Sequence, residues 1–218
     1  RYLQVEKNTS PLTVKNYAAD ISLFSNFLTE RLGGDFQWQK IGVLDIRAYL
    51  ALLNKEKYAR TTIARRISSL RSFYKFLLRE NYVEQNPFVK VRTPKLEKRL
   101  PVFLEELEIN EILTMPDKDT LGLRDQAILE LLYATGCRVS ELVGLTTTNI
   151  DLGSQYVLLL GKGNKERIVP IGHTCCQAVR QYLQVTRGAL MEKYKTAVHD
   201  KVFVNSRGGP LTDRSVRR

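Results

Sequence analysis

Cysteine is scarce in this chain, with only Cys137, Cys175 and Cys176 among 218 residues. Their odd number and the lack of a CxxC pair fit a reducing compartment better than a disulfide framework or a zinc site. All three read as small packing residues in a reducing compartment. No metal or other cofactor is assigned. Long apolar runs are also missing: no window approaches the roughly 18 uncharged apolar residues of a membrane span. The opening RYLQVEKNTS lacks the basic-then-apolar layout of a signal peptide, so a cytoplasmic protein with no membrane partner is expected.

The remaining composition, 43% hydrophobic and 26% charged, suits one large or two modest globular domains and makes disorder a poor description. Acidic residues are short in one half only. Residues 1–100 hold 19 Lys and Arg against 9 Asp and Glu, a balance of +10, whereas residues 101–218 hold 15 against 14, a balance of +1. A single-signed region joined to a balanced one points to a polyanion binder attached to something else, and nucleic acid is the commonest polyanion. Simple solubility is the bland alternative.

Start and stop signals place the first helices. Ser10-Pro11 supplies an N-cap and a proline at the first helical position. Val14, Tyr17, Ile21, Phe24 and Leu28 then recur at three- and four-residue steps, and Gly33-Gly34 ends the run. Val43, Ile46, Tyr49, Leu50 and Leu53 predict a second helix, closed by NKEKYAR. A third starts at Thr61 or Thr62 and carries Ile63, Ile67, Leu70, Phe73, Tyr74 and Leu77 on one stripe. Thr61, Arg65, Ser68, Ser72, Lys75 and Arg79 fall opposite, with no acidic residue until Glu80. Lys and Arg neutralise phosphates, and short hydroxyls donate to phosphate oxygens. The candidate DNA contacts are therefore Thr13 and Lys15 on the first helix, and Thr61, Thr62, Arg65, Ser68, Ser69, Ser72, Lys75 and Arg79 on the third. A merely solvated face is the alternative, although such faces usually mix both signs.

Asn86-Pro87 ends the helical region, which gives a domain over 1–88, a basic linker over 89–101 (VKVRTPKLEKRLP from Val89) and a second domain over 102–218. The linker could lie along a duplex as a cationic strap. FLEELEINEILTM then predicts an acid-capped helix, and LGLRDQAILELLYATG a buried one ending at Gly136, by the spacing of Leu123, Ala127, Leu131 and Ala134. Arg138 lies just past that end. A short helix from about Val139 to Leu145 sets Glu141 three residues on, within reach on the same face. Two β-rich segments near 155–160 and 166–171 flank Gly161-Lys162-Gly163-Asn164, a hairpin tip presenting Lys162. The pattern GxxxxGK[ST] is absent, so this is no P-loop.

ATGCRVSELVGL, followed 24 residues after its arginine by the lysine of GKGNKERIVPIG, resembles the catalytic domain of tyrosine site-specific recombinases, the phage integrase family, and the bacterial Xer type above all. SPLTVKNYAADISLFSNFL and ARTTIARRISSLRSFYKFLLRE are similar to that family's N-terminal core-binding domain. The resemblance runs from about Ser10 to the last residue. It implies an all-α SAM-like domain followed by an α/β catalytic domain, mostly helical with a small antiparallel sheet, the two forming a C-shaped clamp on double-stranded DNA.

The resemblance also implies chemistry. A tyrosine attacks a phosphodiester, giving a 3'-phosphotyrosine and a free 5'-hydroxyl without metal, and the transition state carries extra negative charge. A planar guanidinium can hold two non-bridging oxygens and stays charged. Arg138 matches the family's first arginine, Glu141 its supporting acidic residue, and Lys162 the hairpin lysine that serves as general acid. The remaining motifs (a His-x-x-Arg box, a later His or Trp, and the nucleophilic Tyr) are not among these residues. Neither His173 nor His199 is followed three residues later by arginine, and LTDRSVRR leads toward the missing box. A truncated chain that binds DNA without cleaving it is expected. The family implies a homo- or hetero-tetramer on two recombination sites, weakened here, with chromosome dimer resolution as the role and a DNA translocase as a further partner. An integrase or transposon recombinase, or a noncatalytic DNA-binding regulator on the same scaffold, remain as alternatives.

Overall fold

In a computed structural model the chain divides into two compact units, 1–101 and 102–218. The structure describes Tyr2 and residues 9–95, 102–161, 163 and 165–218.

The first unit is helical. Helix α1, Pro11–Leu32, starts where the Ser10 hydroxyl accepts the Thr13 N–H at 3.3 Å. It stops at Gly33, whose left-handed φ of 77° lets its N–H return to the Thr29 carbonyl. Helices α2, Val43–Lys55, and α3, Arg60–Arg79, follow, with a 3₁₀ turn at Trp38–Lys40 between α1 and α2. Their apolar stripes meet on Phe24, Leu28, Ile46, Ile67, Leu70 and Tyr74, all buried. Aromatic contacts tie the stripes together. The ring of Phe24 lies 4.9 Å from Tyr49 and 5.7 Å from Phe88, and Trp38 meets Phe73 edge-on at 5.0 Å. Phe88 is fully buried and Val91 packs beside it, while Arg71 donates to both of their carbonyls, at 3.2 and 2.8 Å. The start of the stretch read as a linker is thus fastened to the helical core.

The second unit opens with α4, Glu106–Thr114, where Glu108 accepts the Glu105 N–H. Helix α5, Thr120–Thr135, is capped by Asp119 and ends at Gly136 with φ 56°. Gly122 in its first turn permits a close approach that no side chain could, since a Cβ there would stand 1.8 Å from the Asp117 carbonyl oxygen. Helix α6, Val139–Gly144, leads to a short strand β1, Ile150–Asp151, absent from the sequence reading. Strands β2, Tyr156–Leu160, and β3, Glu166–Pro170, complete an antiparallel sheet in the order β1-β2-β3, with Leu159 opposite Arg167. The Gly161 N–H donates to the Lys165 carbonyl at 2.7 Å and closes the hairpin.

Helix α7, His173–Gln181, runs through a π-helical segment, Tyr182–Arg187, into α8, Gly188–Lys193, also unassigned from sequence. The buried Tyr182 anchors it: its hydroxyl donates to the Val202 carbonyl and accepts the Val204 N–H, both at 3.0 Å. A last short helix, α9, Asp213–Val216, is capped by Thr212. The three cysteines are free and buried, and burial pushes the Cys175 thiol up to about 12, as expected of packing residues. Among the described residues no helix is long and apolar enough to cross a membrane.

Candidate functional site

Arg138 occupies the N-cap of α6 because α5 must end at Gly136 and the chain re-enters a helix two residues later. Glu141, three residues into α6, turns back on it. Its Oε2 accepts the Arg138 backbone N–H at 3.0 Å and its Oε1 accepts from the Arg138 Nη1 at 2.8 Å. The contact anticipated from spacing is therefore made, but a third residue completes it. From β3, Arg167 donates through Nη1 to Oε1 at 3.1 Å and through Nη2 to Oε2 at 2.7 Å.

Exposure separates the three side chains. Glu141 is 4% exposed, Arg167 40% and Arg138 70%. The carboxylate is buried between two guanidinium groups while Arg138 keeps most of its surface open. The Arg167 hydrogen bonds, helped by those from Arg138, hold the Glu141 carboxyl down at about 2 despite its burial. Lys162, expected beside this site, lies outside the described residues. The hairpin that carries it is nonetheless anchored here: a Cβ on Gly161 would be 3.4 Å from Glu141 Oε1 and 3.6 Å from Arg167 Nη1. Among the described residues no three His, Cys, Asp or Glu side chains gather as metal ligands would.

The first unit treats its basic face differently from expectation. Thr61, Ser68 and Lys75 are exposed along α3, as is Lys15 on α1, while Thr62 is half-buried. Ser68 donates to the Ala64 carbonyl, and Thr13 shares the Ser10 cap. Ser72 is half-buried beside an apolar groove formed with Val14, Tyr17 and Phe76. Arg79 is held by Glu80 at 2.6 Å and lies over the Tyr2 ring at 4.4 Å.

Two expectations are corrected. Ser69 is fully buried and donates to Asp20 and to the Arg66 carbonyl, so it belongs to the packing and not to the surface. The face also has an acidic neighbour after all, because Arg65 is paired with Asp20 of α1, as is Arg66. The sequence reading missed both Asp20 and Arg167. Asp20 lies four residues before Phe24, on the apolar stripe of α1, where a carboxylate demands a partner. Arg167 alternates with Val169 on the inward face of β3, where a cation makes the same demand.

Comparison with known proteins agrees with this architecture. Residues 102–218 match the phage integrase family and residues 1–81 its N-terminal SAM-like domain. Tyrosine recombinase XerC of Bacillus pumilus (strain SAFR-032) is 47% identical over 99% of this chain, which covers 70% of that protein. The XerC of Bacillus subtilis (strain 168) is 45% identical over the same shares. Among solved structures, a Tn1549 transposon integrase in complex with a circular intermediate DNA superposes with a TM-score of 0.70 at 18% identity, covering 98% of this chain and 72% of its own. A lambda integrase dimer bound to a COC' core site gives 0.67 at 18% identity, covering 95% and 69%. An N-terminal SAM-like helical unit, a mostly helical catalytic unit with a small antiparallel sheet, and whole-chain identity to XerC proteins place this chain in the phage integrase family of tyrosine recombinases, among relatives of the Xer type.

Proposed function

We propose that this chain is the DNA-gripping and cation-bearing portion of a site-specific recombinase that cuts and rejoins duplex DNA through a 3'-phosphotyrosine intermediate, acting in chromosome dimer resolution in the cytoplasm. One observation carries the reading: Arg138 is directed by a buried carboxylate yet stays 70% exposed. A guanidinium fixed at one edge and open at the other is preorganised to hold the non-bridging oxygens of a phosphodiester as their charge grows. In the reaction, an oxygen–phosphorus bond forms from a tyrosine hydroxyl that gives up its proton to solvent, and the bond to the 5'-oxygen breaks. Lys162 delivers a proton to that leaving oxygen.

The nucleophile is assigned outside these 218 residues. The Tyr182 hydroxyl is engaged on both sides, and burial pushes it up to about 12. The Tyr74 hydroxyl is spent on the Trp38 carbonyl. Residues 1–88 would bind the duplex through Lys15, Thr61 and Lys75, with Ser68 and Arg65 joining once they exchange the Ala64 carbonyl and Asp20 for a phosphate. Residues 89–101 serve as the basic strap and 102–218 as the catalytic part. A lambda integrase of the same fold is known as a tetramer bound to a Holliday junction, which supports four protomers on two recombination sites here.

The test is incubation with a nicked recombination-site duplex, resolved under denaturing conditions beside an intact-mass measurement. The 218-residue chain should retard the duplex and give no covalent band, while the full natural chain should give one. A covalent adduct from the 218 residues alone would overturn the assignment of the nucleophile. Failure to bind duplex would overturn the whole reading.

A further inference from the structure

Arg167 has no part in the chemistry just proposed, yet among the described residues it brings the most side-chain hydrogen bonds to Glu141. Both of its terminal nitrogens reach the carboxylate, one to each oxygen, at 3.1 and 2.7 Å, whereas Arg138 brings one side-chain nitrogen and its backbone N–H. Bidentate guanidinium pairing fixes the plane of a carboxylate, which a single hydrogen bond does not. Charge points the same way. Glu141 and Arg138 alone would sum to zero, so an incoming phosphate would compete with the carboxylate for the Arg138 guanidinium. With Arg167 the cluster carries one net positive charge. Position adds a third consideration, because Arg167 lies at the root of the Lys162 hairpin, where Gly161 brings the other strand against the same carboxylate.

We infer that Arg167 is a positioning residue of this site: acting through Glu141, it sets the direction of Arg138 and the base of the hairpin carrying Lys162, and it leaves Arg138's charge available to phosphate. This inference rests on the recombinase reading above. The carboxylate is then a pin between helix α6 and the β2–β3 hairpin, and Arg138 is not aimed by its own backbone alone.

The test uses the full natural chain on a nicked suicide duplex, with the single-turnover rate of covalent adduct and the duplex Kd measured separately. Arg167→Met should slow adduct formation about a hundredfold, the scale of a misplacement near 1 Å, with Kd nearly unchanged. Arg167→Lys restores the charge without the bidentate fork and should recover part of the rate. The double variant Glu141→Gln with Arg167→Met should be no slower than the slower single variant, because both act through one contact. A rate for Arg167→Met within about threefold of the parent, or losses that multiply in the double variant, would overturn the inference.

A second readout needs no catalysis. In the 218-residue chain the NMR order parameter of the Arg138 Nε–H should fall below about 0.6 in Arg167→Met. No covalent adduct from the parent chain would sink the recombinase reading, whereas an unchanged Arg138 order parameter would sink the positioning role.

Discussion

In the helical unit, Asp20 lies between Arg65 and Arg66; in the second unit, Glu141 lies between Arg138 and Arg167. Both carboxylates are buried, and each is shared by two arginines. The difference lies in the cations. Arg66 is 8% exposed, stacks over the Tyr58 ring at 4.1 Å, and has a buried Nε with no hydrogen-bond partner. It is committed to packing, and Ser69 closes the same network beneath it. Around Glu141 both arginines reach solvent, and the more exposed one is the residue proposed to meet phosphate. The same three-charge device thus staples α1 to α3 in one unit and aims a cation outward in the other. Its use follows from how many of its charges the surroundings leave uncovered.

Breaking the first cluster should give the largest effect. Asp20→Ala leaves Arg66 buried without compensation, which costs about 3–5 kcal/mol for a buried pair losing one partner. Urea unfolding followed through Trp38, the single tryptophan and a residue of this unit, measures it directly. A loss below about 1 kcal/mol would mean that Arg66 reaches water and that the two clusters are alike.

Acid sharpens the second cluster. The folded state lowers the Glu141 carboxyl from 4.5 to about 2, chiefly through Arg167. A depressed folded value means that its stabilisation is fully present above the unfolded value and is lost as pH falls through the folded one. The second unit should therefore lose stability as pH drops from about 4.5 toward 2, and Glu141→Gln should remove that part of the dependence. Unfolding free energies of both chains across this window provide the comparison. Parallel acid limbs would assign the titration to another group.

The smallest effects separate face from core on α3. Lys75→Ala should flatten the dependence of log affinity on log salt by about 0.9, because one fewer phosphate is neutralised, with stability unchanged. Ser69→Ala should leave that slope alone and cost about 1 kcal/mol, the usual worth of a buried hydrogen bond. The reverse pattern would place Ser69 at the DNA and Lys75 in the fold.

Much of this division was legible in the residues. The Ser10-Pro11 start and the Gly33 stop of α1, the stripes of α2 and α3, the end of α5 at Gly136 and the Arg138–Glu141 contact all follow from local rules acting within a few residues. Strand β1 was not legible, because two residues carry no periodicity and exist as a strand only through pairing with β2. The helix through Tyr182 is not legible either. Its π-helical segment shifts the register of its buried side chains, and its anchor, the Tyr182 hydroxyl, bonds to residues twenty or more positions away. Arg65 read as free because its partner lies 45 residues earlier, and Ser69 read as exposed because Asp20 draws it inward.

By itself the sequence determined where helices begin and end, which faces are apolar, where the positive charge concentrates, and that Arg138 and Glu141 share one turn, since all of these depend on composition and short spacing. Only the tertiary structure decided which cations are spent and which remain open. That depends on carboxylates brought from distant parts of the chain: Asp20 on α1 reaches Arg65 and Arg66 on α3, and Glu141 on α6 reaches Arg167 on β3. A charge is worth what its burial and its partners leave of it, and both are properties of packing.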